Sequence, residues 1–97
     1  MTGVELIAAE RERQIRVEGW SEEHDDQHET GELSSAAECY VAYASDQLSG
    51  MHPTKSVPLQ WPWAPDWWKP SVDLVRNLQK AGALIAAEID RLQRKAG

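Results

Sequence analysis

Residues 31–50, Gly31-Glu32-Leu33-Ser34-Ser35-Ala36-Ala37-Glu38-Cys39-Tyr40-Val41-Ala42-Tyr43-Ala44-Ser45-Asp46-Gln47-Leu48-Ser49-Gly50, decide the fold class. Leu33, Ala36, Ala37, Tyr40, Val41, Ala44 and Leu48 follow one another at steps of 3, 1, 3, 1, 3 and 4. That spacing places apolar side chains along one side of a 3.6-residue helix, and a strand would instead alternate. The pattern predicts a helix over 31–49 that breaks at Gly50.

Toward the C-terminus, residues 50–70 contain all five prolines, Pro53, Pro58, Pro62, Pro65 and Pro70. Proline lacks a backbone donor and fixes φ, so this density excludes a helix interior and a central strand. The same stretch carries Trp61, Trp63, Trp67 and Trp68, four of the five tryptophans, in a chain with two tyrosines and no phenylalanine. Connections of this length are functional or disordered, and disordered segments are poor in aromatics. The expectation is an ordered, extended loop packed on the helices. A last helix follows over 71–95, with Leu74, Leu78, Ala81, Ile85, Ile89 and Leu92 as its predicted buried stripe and Glu88 at the edge of that face. Arg91, Arg94 and Lys95 suit its negative end, and Ala81-Gly82-Ala83 leaves room for a neighbouring backbone.

Toward the N-terminus, Thr2 and Glu5 have the spacing of a capping box. They predict a helix over 3–18 with Val4, Ile7, Ala8 and Ile15 on one side and Gly19 as its stop. Trp20 is placed to fold back on the last turn. Ser21 to Thr30 has almost no apolar side chain and reads as a short turn capped by Ser21, or as a surface loop. The whole chain, 1–97, therefore reads as a single all-α domain of three helices with a long ordered Pro/Trp-rich loop between the second and third.

Composition narrows the function classes. A chain of 97 residues has a modest core, which self-association would extend, so a homo-oligomer is expected. Cys39 is the only cysteine, so no disulfide framework forms within the chain. No run approaches the ~20 apolar residues of a membrane span, and no basic-then-apolar leader opens the sequence. The expected setting is the cytoplasm, with no membrane partner. Of the net charge of −6, residues 1–49 hold twelve acids against three bases, and residues 50–97 four acids against seven bases. Seven of the acids fall between Glu18 and Glu32. A general nucleic-acid binder needs a broad basic surface, and this chain has none.

Two constellations could carry chemistry. His24 and His28, with Asp25, Asp26 and Glu32, have donor types that suit a transition metal, but Thr30 and Gly31 interrupt the helix that would align them. No metal site is expected there; the segment is a polar, cap-forming loop or a ligand-contacting one. The tryptophans either cover the core or present faces that stack on nucleobases, with Lys69 or Arg76 nearby for phosphate. Trp67 and Trp68 are adjacent, so in an extended chain both cannot face the same way; at least one tryptophan is expected buried and at least one at an interface. Trp20 is the natural tether between the two constellations. The candidate recognition surface is Trp20, His24, Asp25, Asp26, His28, Trp61, Trp63, Trp67, Trp68, Lys69 and Arg76. No catalytic residue is assigned: phosphate loop, nucleophile elbow and CxxC are all missing. Arg11, Arg13 and Arg16 beside Glu10 and Glu12 read as ion pairs along the first helix.

Four blocks, ERERQIRVEGWSEEHDDQH (10–28), GELSSAAECY (31–40), WPW with WWKP (61–63, 67–70) and NLQKAGALIAAEIDRL (77–92), resemble a family of small bacteriophage and prophage proteins over nearly the whole chain. The resemblance implies expression in a bacterial host cell. Taken with the tryptophans and the missing metal carboxylates, it leads to the expectation of an accessory or counter-defence protein with a nucleotide-like molecule or a host protein as partner. Glu10-Arg11-Glu12-Arg13-Gln14, His24-Asp25-Asp26 and Ile89-Asp90-Arg91 are also distantly similar to MazG-like nucleoside triphosphate pyrophosphohydrolases. That family is all-α and holds magnesium with an EExxE and a second acidic pair. This chain has no EExxE, and Asn77 and Lys80 stand where the last helix should offer acids. Glu32, Glu38 and Glu88 are the remaining candidates for such an enzyme. The expectation is a binding protein without catalysis or cofactor, the alternative a divergent magnesium-dependent pyrophosphohydrolase.

Overall fold

A computed structural model describes residues 1–97 and contains helices and loops with no strand. Four α-helices follow one another: α1 (Gly3–Arg16), α2 (Glu22–Asp26), α3 (Glu32–Leu48) and α4 (Leu74–Ala96), with a single 3-10 turn at Pro65–Trp67 in the long loop. The three long helices and the loop match the expected class. α2 is an additional short helix, built where Ser21 accepts a hydrogen bond from the His24 amide. The Thr2–Glu5 capping box forms in both directions. Gly19 takes φ +75°, a left-handed value that lets the chain reverse and bring the Trp20 amide back to the Gln14 carbonyl at 3.1 Å.

α4 is the hub, touching α3, α1 and α2. Against it α3 buries Leu33, Ala36, Ala37, Cys39, Tyr40, Tyr43 and Ala44, close to the predicted stripe, although Val41 and Leu48 stay exposed. Burial pushes the Cys39 thiol up, with Glu38 adding to it, so the thiolate is disfavoured.

Two predicted faces are corrected. On α1, Val4 and Ile15 are exposed, and the buried residues are Glu10 and Gln14. α1 docks on α4 through one ion pair, Glu10–Arg76 at 2.7 Å, through Gln79 Nε2 donating to the Leu6 carbonyl at 3.3 Å and through Ile7, while Arg13 braces Glu10 within α1 at 2.8 and 3.0 Å. On α4 the buried set is Asn77, Ala81, Ala83, Leu84, Ala87, Glu88 and Arg91, whereas Leu78, Ile85, Ile89 and Leu92 are 41–51% exposed. Only Ala81 of the predicted stripe is fully inside. Small and paired residues face inward because α1 and α3 approach α4 closely. Added to Gly82, a Cβ would lie 2.6 Å from Ile7 Cδ1, so the neighbour admitted at Ala81-Gly82-Ala83 is α1.

The proline-rich loop is held at many points. Tyr43 Oη donates to the Pro53 carbonyl and the Lys69 amide donates to Tyr40 Oη, both at 3.3 Å. Lys80 Nζ donates to the Lys69 carbonyl at 2.6 Å. Asn77, fully buried, accepts from the Ser71 amide at 2.8 Å and donates to the Ser71 carbonyl and Gln47 Oε1 at 2.8 and 2.9 Å. Trp61 and Trp68 enter the core beside Tyr40, with ring centroids 5.8 and 4.8 Å from it. No helix is long and apolar enough to cross a membrane.

Candidate functional site

The reversal at Gly19 and the span of the proline-rich loop bring two remote segments together. Trp20 and His24 stack with centroids 5.5 Å apart and planes 2° from parallel. Trp63 and Trp67 stand at 58° and 52° to Trp20, at 5.8 and 6.2 Å. His28 closes the circle, 4.9 Å from His24 and 5.2 Å from Trp63. These five rings and Ala64 line an open cleft of about 280 Å³. Small-molecule pockets run from ~300 Å³ upward, so the cleft suits one ring system. Trp67 is 44% exposed at its rim, with Lys69 Nζ 5.4 Å from its ring, in cation–π range.

His24 is oriented from behind. Asp25 is fully buried, accepts from Arg11 at 2.9 Å and lies 2.9 Å from His24 Nδ1. With Arg11 donating to Asp25 Oδ2, Asp25 Oδ1 is left to accept from His24 Nδ1, which holds the imidazole against Trp20.

A smaller chamber of about 40 Å³, with aromatic and charged walls, adjoins the cleft and shares Trp20, Trp63 and Trp67 with it. Glu10, Gln14 and Lys80 form part of its wall. Burial pushes the Glu10 carboxyl up, but hydrogen bonds from Arg13 and Arg76, with their charges, outweigh it and hold the group below its ordinary value. Glu10 is therefore ionised and acceptor-only. Gln14 Nε2 donates to it at 3.2 Å, which fixes the amide orientation and turns Oε1 away. Gln14 Oε1 and Trp63 Nε1 are both buried without a partner in the protein. One acceptor and one donor thus border the chamber unused, where burial makes an unmet polar group costly. Burial, followed by the Arg76 charge, pulls the Lys80 ammonium below its usual value.

Of the eleven residues singled out from sequence, Trp20, His24, His28, Trp63 and Trp67 meet in the cleft, and Lys69 lies beside it. The others lie elsewhere. Trp61 and Trp68 are core, Asp25 supports His24, Asp26 pairs with Arg94 at 2.7 Å, and Arg76 is committed to Glu10. Gln14, Glu10 and Lys80 went unrecognised because each reads as a solvated helix position. Only Glu10 has a sequence signal, the dense charge alternation of residues 10–13. Glu32, Glu38 and Glu88 are not gathered. Glu32 accepts from Thr30 and sits 3.6 Å from His28, Glu38 is exposed, and Glu88 is bound to Arg91. No group of three or more His, Cys, Asp or Glu side chains stands together as a metal would need. Compared with known proteins, the chain matches no family model, no curated protein and no solved structure.

Proposed function

We propose that this chain is a non-catalytic binding protein whose aromatic cleft takes the flat ring of a nucleotide-like ligand. The observation that carries the reading is the cleft itself: five aromatic rings around an open space of about 280 Å³, at the rim of a structure whose core already has its own tryptophans. Stacking on such faces contributes roughly 1–3 kcal/mol per base. Trp63, which lines the cleft, carries a buried Nε1 donor without a partner in the protein, available to a ring acceptor of the ligand. Lys69 at the rim offers a cation to a phosphate. In the phage-like setting that the sequence pattern resembles, such a protein sequesters a nucleotide-type metabolite or signal from the host.

The test is calorimetric titration with a panel of nucleoside mono-, di- and triphosphates, run on the parent and on Trp63→Ala and Trp67→Ala. Each loss of a platform should weaken binding by about 5- to 150-fold with the helix content unchanged. The same samples incubated with Mg²⁺ should release no pyrophosphate. Turnover that disappears in Glu88→Gln or Glu38→Gln would replace this reading with the pyrophosphohydrolase one.

A further inference from the structure

We propose that the small chamber beside the cleft is a sugar subsite, in which Gln14 Oε1 accepts a hydrogen bond from a ribose hydroxyl of the ligand, a role that rests on the reading of the cleft as a nucleotide site. Gln14 is 2% exposed, lines the chamber, and its Oε1 has no partner in the protein. The residue is fixed from two sides. Its backbone carbonyl takes the Trp20 amide at 3.1 Å where the chain reverses, and its side-chain Nε2 donates to Glu10 Oε2 at 3.2 Å. The side-chain amide cannot turn over to relieve Oε1, because the ionised Glu10 offers only acceptors. The missing donor therefore has to come from outside the chain.

The neighbouring groups point to a hydroxyl. Arg13 is spent on Glu10 and Glu18. Lys80 Nζ donates to the Lys69 carbonyl at 2.6 Å and keeps two further donors. Lys80 and Gln14 line the same space, which thus offers donors on one and an acceptor on the other. A hydroxyl uses both at once, donating to Gln14 Oε1 and accepting from Lys80. A fully ionised phosphate has no hydrogen to give. It would leave Oε1 unmet and set its charge against the Glu10 and Glu18 carboxylates of the same wall. The phosphate of the ligand therefore stays outside, with Lys69 at the rim. Size agrees with a sugar edge. A water needs at least ~10–15 Å³, so a chamber of about 40 Å³ accommodates two or three waters or the edge of a sugar, and excludes a base. Trp20, Trp63 and Trp67 border both spaces. In a nucleoside the ribose is bonded directly to the base, so a base stacked in the cleft has its sugar within reach of the chamber.

Tryptophan fluorescence titrations of the parent with the four ribonucleoside 5′-monophosphates, and with their 2′-deoxy and 3′-deoxy counterparts, test the subsite. Loss of the recognised hydroxyl should weaken binding by about 5- to 100-fold, the effect of leaving a buried polar group unpaired. Methylation of the same oxygen keeps an acceptor but removes the donor, and should weaken binding at least as much. Gln14→Met replaces the amide with an apolar chain of similar length; with unchanged circular dichroism, it should bind the ribose and deoxyribose forms alike. A parent that binds the ribose form and both deoxy forms equally overturns the proposal and leaves the cleft standing as a nucleotide site, with ordered water only in the chamber. A preference that persists in folded Gln14→Met also overturns it, since the hydroxyl is then read elsewhere. If Gln14→Met does not fold, the deoxy and O-methyl comparison on the parent decides. Failure of every nucleotide to bind removes the reading of the cleft, and the subsite with it.

Discussion

Asn77 holds the end of the proline-rich loop with both halves of its amide, accepting from one backbone amide and donating to two oxygens. A carboxylate there could not donate. Asn77→Asp would set a charge against the Ser71 carbonyl and Gln47 Oε1 in a fully buried site. The expected cost is about 2–4 kcal/mol, read from the midpoint of urea unfolding. The position that looks like a missing metal ligand beside the pyrophosphohydrolase pattern is thus occupied by a structural clamp. Glu10 predicts a pH dependence. Its folded pKa lies below the ordinary carboxylate value, so its ion pairs add stability above the unfolded-state pKa near 4.5. That contribution is lost as pH falls through the depressed folded value. Denaturation midpoints should drop on this acid limb, and Glu10→Gln should flatten it while lowering stability at neutral pH. Gly82→Ala gains about 1 kcal/mol of helix propensity but drives a methyl into Ile7, an overpacking that costs about 1–3 kcal/mol. The variant should be less stable by about 1 kcal/mol, and Ile7→Ala in the same chain should cancel the clash, which a double-mutant cycle measures.

The two long helices that pack on each other were unequally legible. α3 reads largely correctly because Leu33, Ala36, Ala37, Tyr40 and Ala44 are apolar, regularly spaced and buried, although Val41 and Leu48 stay out and Cys39 and Tyr43 come in. α4 carries two stripes of helical period. One is Leu78, Ile85, Ile89 and Leu92; the other is Asn77, Ala81, Leu84, Glu88 and Arg91. Hydrophobicity selects the first, and the fold buries the second. The deciding information lies in pairings no local window contains: Glu10 with Arg76, Asn77 with Gln47, Gly82 with Ile7. The loop was legible as ordered from its aromatics. Trp67 is exposed and Trp68 buried, but Trp67 ends a 3-10 turn, so the alternation of an extended chain does not describe the pair. Which tryptophans line the cleft was not legible, because that depends on Trp20 and His24 arriving from another segment. The division between core and cleft can be measured at this scale. Trp68→Ala empties a core site that is 7% exposed and should cost about 3–5 kcal/mol. Trp67→Ala removes a rim residue and should cost about 1 kcal/mol or less. Equal losses for the two would show that the loop has one undivided aromatic core.

At the scale of the whole molecule, the chain separates its surfaces. One end presents the aromatic cleft, made by α2, the turn before it and the loop. The outward side of α4 presents the apolar row Leu78, Ile85, Ile89 and Leu92, and α4 turns Arg76, paired with the buried Glu10, toward α1. The central claim is that the cleft binds by stacking, and intrinsic tryptophan fluorescence reads it directly, because three of the five tryptophans line the space. Nucleoside monophosphate should quench the parent saturably, ribose 5-phosphate should not, and Trp67→Ala should shift the midpoint upward by about 5- to 150-fold while remaining folded. Quenching that never saturates with any nucleotide, or a folded Trp67→Ala that keeps the parent midpoint, would contradict the account.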